Sequence, residues 1–271
     1  MHSHRIVPSL GLAPVLLSLL VACGGGGEQS GPAGAPATGE QPAAPAAATP
    51  APVSDPAPTG TATVAGKIVY RGEVPKMKPL DMNADPGCAK KHSGEVMPEA
   101  LVLGDGNGLA NAFIYVTSGL PGGNYPVPVE PVVLDQRGCR YSPHVTGVMV
   151  GQTFRVLNSD GLLHNVHGLP KQNSEFNRAM PAAVTEADYT FDREEVMFKV
   201  KCDVHPWMSA WVGVVGNPYY AVTGADGSFS IDGLPAGNYE IKAWHERLGT
   251  QTASVTVTDG GSATADFTFT R

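Results

Sequence analysis

The sequence contains few charged residues, few cysteines and no cluster of lysine or arginine. Charged side chains make up 16% of the 271 residues, and 25 acidic against 18 basic residues give a formal net charge of −7. An acidic chain without a basic cluster is not expected to bind nucleic acid. Four cysteines are too few for a disulfide scaffold, so each one needs a separate explanation. The 33 glycines and 24 prolines argue against a coiled coil and favour strands, turns and linkers.

An apolar run near the amino terminus has the layout of an export signal. Arg5 precedes a short apolar stretch that contains two prolines and ends in small residues directly before Cys23. These small residues, together with the four glycines after Cys23, resemble the lipobox of bacterial lipoproteins. The resemblance implies a signal peptide over residues 1–22 and a lipid on Cys23 that anchors the protein in the membrane. The alternative is an ordinary secreted protein that is cut nearby.

Residues 23–62 are expected to be a lipidated cysteine followed by a disordered linker. From residue 24 onward this stretch is dominated by glycine, alanine and proline, and it contains no lysine, arginine or aromatic residue. Such a composition cannot bury enough apolar surface to offset the entropy of ordering. We therefore expect a tether that places the folded part away from the lipid surface, in the bacterial cell envelope, facing the periplasm or the exterior.

From about residue 63 onward the sequence is typical of β structure. Short apolar runs alternate with Gly, Pro, Asn and Asp, and no window has a sustained helical period. The expected fold class is therefore all-β, with two β-sandwiches. The predicted strands are residues 66–70, 112–116, 132–134, 153–157, 196–202, 210–215, 228–231, 239–244, 253–257 and 265–269.

Four side chains form the donor set of a metal site. Cys202, His205 and Met208 lie on one short loop after a predicted strand, and His164 follows another strand. A soft thiolate, two imidazoles and a distant thioether are the donors of a trigonal blue-copper electron-transfer site. Zinc would more often use two or more cysteines, or three His or carboxylate ligands with water.

The alternation of side chains along the predicted strand supports a buried thiol. Val196, Phe198, Val200 and Cys202 are expected on one face of this strand, and the lysines on the other. The thiol of Cys202 is therefore predicted to point towards an apolar core.

The ligand loop resembles that of a known family. Its Cys-x-x-His-x-x-Met pattern is similar to that of amicyanin, and the Leu-His-Asn-Val stretch at residues 163–166 resembles the first-ligand region of plastocyanin and pseudoazurin. The resemblance covers roughly residues 130–216 and implies a cupredoxin domain, a Greek-key β-sandwich, over residues 127–216.

The resemblance to cupredoxins also implies roles for individual residues. The implied equatorial ligands of one type 1 copper are His164, Cys202 and His205, with Met208 as the weak axial ligand. His205 would be the partly exposed ligand through which electrons pass between copper and redox partner proteins.

Other residues near the ligands are expected to support the site or the fold. Asn165 is expected to hold the ligand loops together, and Trp207 either shields the metal or contacts a partner. In an extended strand, His167 would lie on the opposite face from His164. We therefore expect it to lie at the surface or to support a ligand without binding the metal itself. His144 and His245 have no spacing that supports metal binding and are expected to be structural.

The two remaining cysteines can then be assigned by subtraction. If Cys23 carries lipid and Cys202 binds copper, Cys88 and Cys139 are left in an oxidising compartment, where a disulfide is the economical interpretation. A second metal site with His92 and His144, or two free thiols, are the alternatives.

The flanks of the metal-binding segment resemble a second family. Residues 222–239 are similar to a carboxypeptidase regulatory-like (transthyretin-type) sandwich, with Asp226 and Gly227 in a hairpin turn. Because its opening strands are missing locally, we expect a discontinuous module over residues 63–126 plus 217–271, with the cupredoxin domain inserted between them. The alternative is one contiguous carboxy-terminal module behind an enlarged cupredoxin domain. The resemblance implies a structural or docking role without peptidase activity.

The expected function is that of a membrane-anchored, extracytoplasmic blue-copper protein that carries single electrons by Cu(I)/Cu(II) cycling. The sequence contains no nucleophile elbow, phosphate-binding loop or paired catalytic carboxylates, so an electron carrier is expected rather than an enzyme. The alternative is a non-redox lipoprotein, either a copper store or chaperone, or an adhesion protein with a structural metal.

Overall fold

A computed structural model describes residues 56–271 of the chain. The predicted signal peptide, Cys23 and most of the predicted linker lie outside the described residues. Within the described part, the only helical elements are α1 (Pro86–Ala89) and a 3₁₀ turn at Asp105–Asn107. No helix among these residues is long and apolar enough to cross a membrane. The predicted all-β fold class is confirmed.

Strands form almost all of the regular structure in residues 56–271. They are β1 (Ala62–Arg71), β2 (Phe113–Ser118), β3 (Val132–Gln136), β4 (Tyr141–Ser142), β5 (Val145–Met149), β6 (Phe154–Asn158), β7 (His164–Leu169), β8 (Phe176–Met180), β9 (Glu186–Tyr189), β10 (Glu195–Lys201), β11 (Ser209–Val215), β12 (Tyr220–Val222), β13 (Ser228–Leu234), β14 (Gly237–His245), β15 (Gly249–Val257), β16 (Ser262–Thr264) and β17 (Phe267–Thr270). Every predicted strand overlaps an observed one. Strands such as β7 and β8 were not predicted, because their histidines, glycine and exposed polar residues hide the alternation of a strand.

The central part of the chain forms one sandwich, which we call the metal sandwich. One of its sheets has the strand order β5-β11-β10-β7-β8, and the other has the order β4-β3-β6-β9. Its core is a single apolar cluster that includes Leu134, Phe154, Phe198 and Val200. Cys202 and Met208 belong to the same cluster, so the predicted ligand loop starts and ends in the core.

The second sandwich is built from both ends of the described chain, and we call it the flanking sandwich. One sheet has the order β13-β1-β16, with β17 also pairing with β1, and the other has the order β12-β2-β14-β15. Strands β1 and β2 precede the metal sandwich in sequence, and β12 to β17 follow it. Their buried residues form a separate apolar cluster around Ile68, Ile114, Ile241 and Phe269.

The connection between β1 and β2 leaves the flanking sandwich and packs on the metal sandwich. Met82 and Cys88 are buried in the core of the metal sandwich, and Leu80, Ala89 and Val96 pack against it. This connection therefore contributes to the metal sandwich although the strands at its two ends do not.

The two sandwiches share a small apolar junction. It is formed by Phe113 of β2 together with Val145, Met149 and Val215 of β5 and β11. Val196 and Met197 of β10 also pack against this junction.

One prediction about β10 is wrong. A register shift against β11 lies between Glu195 and Phe198, so Val196 does not share the core that contains Phe198. The bulge inserts one residue into the strand and breaks the strict alternation of faces. Val200 and Cys202 lie beyond the bulge and do share that core.

Candidate metal centre

The topology of one sheet brings the predicted ligands to a common place. Strands β7 and β10 are antiparallel neighbours in which His167 pairs with Lys201. Because β7 begins at His164 and β10 ends at Lys201, the loop that follows β10 lies beside the first residue of β7. This loop contains Cys202 and His205.

The donor atoms of three predicted ligands face one another in the interior. Nδ1 of His164 lies 2.9 Å from Nδ1 of His205, and Sγ of Cys202 lies 3.9 Å from the same atom of His205. One ligand atom from each of these three residues fits within 4.8 Å of the others. All three side chains are buried, so the cluster is shielded from bulk water.

Hydrogen bonds within the ligand loop fix its shape. The amide of Met208 donates to the carbonyl of His205 at 2.9 Å, and the amide of Cys202 donates to the carbonyl of Met208 at 3.3 Å. The amide of His205 donates to Sγ of Cys202 at 3.3 Å. Met208 is itself fully buried in the metal-sandwich core, so both ends of the loop are held in place.

In each of the two imidazoles, the ring nitrogen that faces away from the cluster, Nε2, contacts a carboxylate. Nε2 of His164 lies 2.8 Å from Oδ2 of Asp160, and Nε2 of His205 lies 3.0 Å from Oδ2 of Asp85. Because a carboxylate only accepts hydrogen bonds, both Nε2 atoms act as donors. This arrangement directs the Nδ1 atoms inwards as ligand atoms and is the usual outer support of metal-binding histidines.

The electrostatics of the cluster favour ionised forms. Burial opposes ionisation of Asp160, but hydrogen bonds from His164 and from the amides of Cys139 and Gly138 outweigh it and hold the pKa of this carboxyl well below its usual range. Burial lowers the pKa of His164, but hydrogen bonds with Asp160 and Cys202 outweigh it and raise the pKa to about 9.

Burial and hydrogen bonds also have opposite effects on the pKa of the Cys202 thiol. Burial raises its pKa, but hydrogen bonds from His164 and from the amide of His205 outweigh burial and lower it. The thiolate is the form of cysteine that binds metal, so the lowered pKa favours ligation by Cys202, whereas His164 must release a proton before its Nδ1 can bind a metal ion.

Asn165 connects the two ligand segments, and Trp207 connects the ligand loop to Cys139. The amide of Asp203 donates to Oδ1 of Asn165 at 3.0 Å, which ties the ligand loop to β7. Nε1 of Trp207 donates to the carbonyl of Cys139 at 3.1 Å, and its ring centre lies 5.0 Å from that of His205. Trp207 therefore packs beside the His205 imidazole.

The expectation that His205 is partly exposed is wrong. Its relative exposure is 1%. Asp85 contacts its outer nitrogen, and Sγ of Cys88 lies 3.5 Å from the same atom. The connection between β1 and β2 thus covers the edge of the imidazole that would otherwise face solvent.

The structure joins Cys88 and Cys139 in a disulfide with a Cα–Cα distance of 5.6 Å. Neither sulfur is then available as a thiolate for a second metal site. His92 instead contacts the carbonyl of Gly138 at 2.8 Å.

Among residues 56–271, His144, His167 and His245 also lie outside the donor cluster. His144, just before β5 of the metal sandwich, contacts Glu246 in the turn between β14 and β15 of the flanking sandwich at 2.5 Å. Both ring nitrogens of His167 contact carboxylates, Asp203 and Glu175, each at 2.8 Å.

Sequence reasoning missed the two supporting carboxylates. Asp160 lies four residues before His164, and an acidic residue this close to a predicted ligand is a signal that could have found it. Asp85 lies 120 residues before His205, and no local pattern connects them.

Comparison with known families identifies one part of the chain. Residues 206–270 match the carboxypeptidase regulatory-like domain family. The match spans β11 to β17, and all of these except β11 belong to the flanking sandwich. Among curated proteins, no relative matches the sequence.

Several solved structures are weakly similar. A copper-containing nitrite reductase from Thermus scotoductus is 19% identical over 36% of this chain, with a TM-score of 0.29, and this chain spans only 25% of it. A reduced mutant of amicyanin is 25% identical over 31% of this chain and 81% of that chain, with a TM-score of 0.28. A purple cupredoxin from Nitrosopumilus maritimus is 22% identical over 31% of this chain and 97% of that chain, with a TM-score of 0.26. At such TM-scores the likeness is weak, and the interpretation of the site depends on its donor atoms.

The donor set fits a copper ion. The sulfur of Cys202 and one nitrogen of each imidazole converge in the protein interior. The opposite nitrogen of each imidazole, Nε2, is already hydrogen-bonded to a carboxylate. Soft sulfur suits Cu(I), and imidazole binds both oxidation states. His164, Cys202 and His205 are the residues that would hold the ion, with the buried Met208 at the end of the loop.

Proposed function

We propose that this protein is a type 1 copper protein that carries single electrons between redox partners. The observation that carries the proposal is the convergence of Sγ of Cys202 with the Nδ1 atoms of His164 and His205 inside a β-sandwich. When bound there, copper would supply one-electron exchange between Cu(I) and Cu(II). The protein's own contribution is a fixed, dry set of donors.

Rigidity of the ligand segments supports an electron-transfer role. The loop from Cys202 to Met208 is closed by backbone hydrogen bonds, and Asn165 ties it to β7. The two imidazoles are held by Asp85 and Asp160. Donors that cannot rearrange keep the geometry similar in both oxidation states, which lowers the reorganisation that accompanies electron transfer.

We also propose a location and an organisation for the protein. A lipid on Cys23 and the linker up to residue 62 would place the folded part in the cell envelope, attached to a membrane. The Cys88–Cys139 disulfide supports an oxidising compartment. In this proposal the cupredoxin domain, residues 127–216, is inserted in a structural or docking module formed by residues 63–126 and 217–271, except that the connection between β1 and β2 packs on the cupredoxin domain. No catalysis and no nucleic-acid partner are proposed.

Copper storage or delivery is a second candidate function. It uses the same donors, and one observation favours it: the buried His205 has no exposed edge through which a partner protein could reach the ligand directly. A site that is closed in this way would retain its ion.

Spectroscopy of the copper-loaded chain tests the proposal. The full chain with Cu(II) should be intensely blue and should give the narrow copper hyperfine splitting of a type 1 site by EPR. Cys202→Ser should abolish the colour. Met97→Leu, at an exposed methionine outside the cluster, is the matched control and should leave the colour unchanged.

A colourless copper-loaded protein would contradict the blue-copper proposal. For a blue protein, voltammetry then separates the two candidate functions. Reversible one-electron exchange with the electrode and with membranes of the source cell supports electron transfer. Slow electron exchange, together with transfer of the copper ion as Cu(I) to a chelator, supports storage or delivery.

A further inference from the structure

The outer edge of His205 is closed by a segment that is remote in sequence. Asp85 contacts Nε2 of His205 at 3.0 Å, and Cys88 contacts the same atom through its sulfur at 3.5 Å. Both residues belong to the connection between β1 and β2, more than a hundred residues before the ligand loop. We call residues 82–89 the cover segment.

The two oxygens of Asp85 have separate partners. Oδ1 accepts hydrogen bonds from the amides of Gly87 at 2.7 Å and Cys88 at 3.3 Å, so it caps the short helix α1. Oδ2 remains for the imidazole of His205. The cap therefore sets the direction in which the carboxylate is presented to the ligand.

The disulfide connects this arrangement to the second ligand histidine. Cys88 on α1 is bonded to Cys139, and the amide of Cys139 donates to Oδ2 of Asp160 at 2.7 Å. Asp160 in turn contacts His164 at 2.8 Å. The disulfide thus joins the segment that carries Asp85 to the segment whose amide orients Asp160.

We propose that Asp85 is a positioning residue for His205, and that the cover segment, fixed by the Cys88–Cys139 disulfide, closes the metal centre to water. The carboxylate holds the imidazole with Nδ1 inwards, and the disulfide holds the carboxylate. The cover can be tested on the protein without metal, whereas the effect on copper rests on the proposed function.

The variant Asp85→Ser separates the two roles of this residue. Serine is as good a helix cap as aspartate, so α1 should keep its amino-terminal hydrogen bond. Its shorter side chain has a single oxygen and cannot also reach His205. Asp81→Ser is the matched control, because Asp81 is exposed and bonds only to Asn83 in its own segment.

The first experiment measures access to His205 without metal. The full-length protein is treated with diethyl pyrocarbonate, which modifies accessible neutral imidazoles, and mass spectrometry follows each histidine. We expect His205 to react at least about tenfold faster in Asp85→Ser than in the wild type. His167, which lies outside the cover, should react equally in both proteins and serves as the internal reference.

The disulfide is tested in the same experiment. The double variant Cys88→Ser with Cys139→Ser should expose His205 to a similar degree. Asp85→Asn keeps the length and the capping oxygen, so it remains usable if Asp85→Ser does not fold, and it should give a smaller increase. The proposal that the cover segment shields His205 would be overturned if the double variant and the folded Asp85 variant (Asp85→Ser, or Asp85→Asn in its place) both reacted at the wild-type rate.

The second experiment measures copper binding. Competition with the Cu(I) chelator bicinchoninate should show a roughly 10–100-fold lower affinity in Asp85→Ser, the usual effect of removing an outer partner of a metal-binding histidine. The Asp81→Ser control should match the wild type. Equal affinities in Asp85→Ser and the wild type would overturn the positioning role. A wild type that binds no copper would instead contradict the proposed function, and the first experiment alone would then decide the cover.

Discussion

The imidazoles of His164 and His205 meet through their Nδ1 atoms at 2.9 Å. Only one hydrogen fits between two nitrogens at this distance, so at least one of them presents a lone pair to the other. The opposite nitrogens of both rings are held by carboxylates at 2.8 and 3.0 Å. The two imidazoles are therefore held with their Nδ1 atoms facing each other and directed at the place where a metal ion would bind.

Removal of the Asn165 side chain should loosen the ligand loop. Asn165→Ala deletes the acceptor for the amide of Asp203, and we expect a loss of about 1–2 kcal/mol in the free energy of unfolding. Urea denaturation of the metal-free protein measures this. Asn238→Ala is the control, because Asn238 is exposed and its side chain bonds to Thr256 in the flanking sandwich, away from the ligand loop. An equal loss in both variants would contradict the proposed tie.

Replacement of Met208 tests the axial position. In the proposed site, Met208→Gln puts a harder oxygen in the place of the thioether and should lower the reduction potential by favouring Cu(II). Protein-film voltammetry of the copper-loaded chain measures the change. The matched substitution at exposed Met97 should leave the potential unchanged, and a shift of equal size there would rule out an axial role for Met208.

Loss of the Cys88–Cys139 disulfide should destabilise the protein. The linked residues are 51 positions apart, and closure of such a loop is worth about 4 kcal/mol in the chain-entropy model. Urea denaturation of the double alanine variant, compared with the oxidised wild type, should therefore show a clearly lower midpoint. Chemically reduced wild type should behave like the variant, and midpoints equal to that of the oxidised protein would contradict the prediction.

The junction between the sandwiches should not accept a larger residue at Gly213. An added Cβ would lie 2.8 Å from both Cζ of Phe113 and Sδ of Met197, so neighbouring side chains must move. We expect Gly213→Ala to cost about 1–3 kcal/mol, as overpacking usually does. Thermal or urea unfolding measures it. Gly94→Ala, where no atom lies within 4 Å of the added Cβ, should be nearly neutral.

His245 should make the protein sensitive to mild acid. Burial lowers its pKa to about 4, the charges of His144 and Arg247 also lower it, and Glu246 opposes them. In the unfolded chain the pKa is about 6.5. As the pH falls from about 6.5 to about 4, only the unfolded chain takes up this proton, so the free energy of unfolding decreases by an amount on the order of 3 kcal/mol.

The variant His245→Phe should remove that part of the pH dependence. Urea denaturation between pH 4 and 7 compares the two proteins, and their difference should grow towards low pH. Carboxylates remote from His245, such as Asp188, titrate alike in both proteins, so they cancel in the comparison. Parallel curves would contradict the assignment to His245.

Much of the fold could be predicted because short apolar runs and turn residues are local signals. Every predicted strand overlaps an observed strand, and the strand that leads to Cys202 was placed within a residue. Alternation failed at Val196, where a bulge against β11 shifts the register. A bulge depends on how a strand meets its partner, and the residues of one strand alone do not specify it.

The sequence by itself determined the kinds of atoms at the candidate site. The spacing of Cys202, His205 and Met208 on one loop and the separate His164 specify a soft sulfur, two imidazoles and a thioether, whatever surrounds them. Only the tertiary structure decided which atoms support them. Asp85 reaches His205 across 120 residues because a disulfide and a helix cap place the connection between β1 and β2 on the metal sandwich. The burial of His205 follows from that packing, since contacts between segments so far apart depend on the folded chain as a whole.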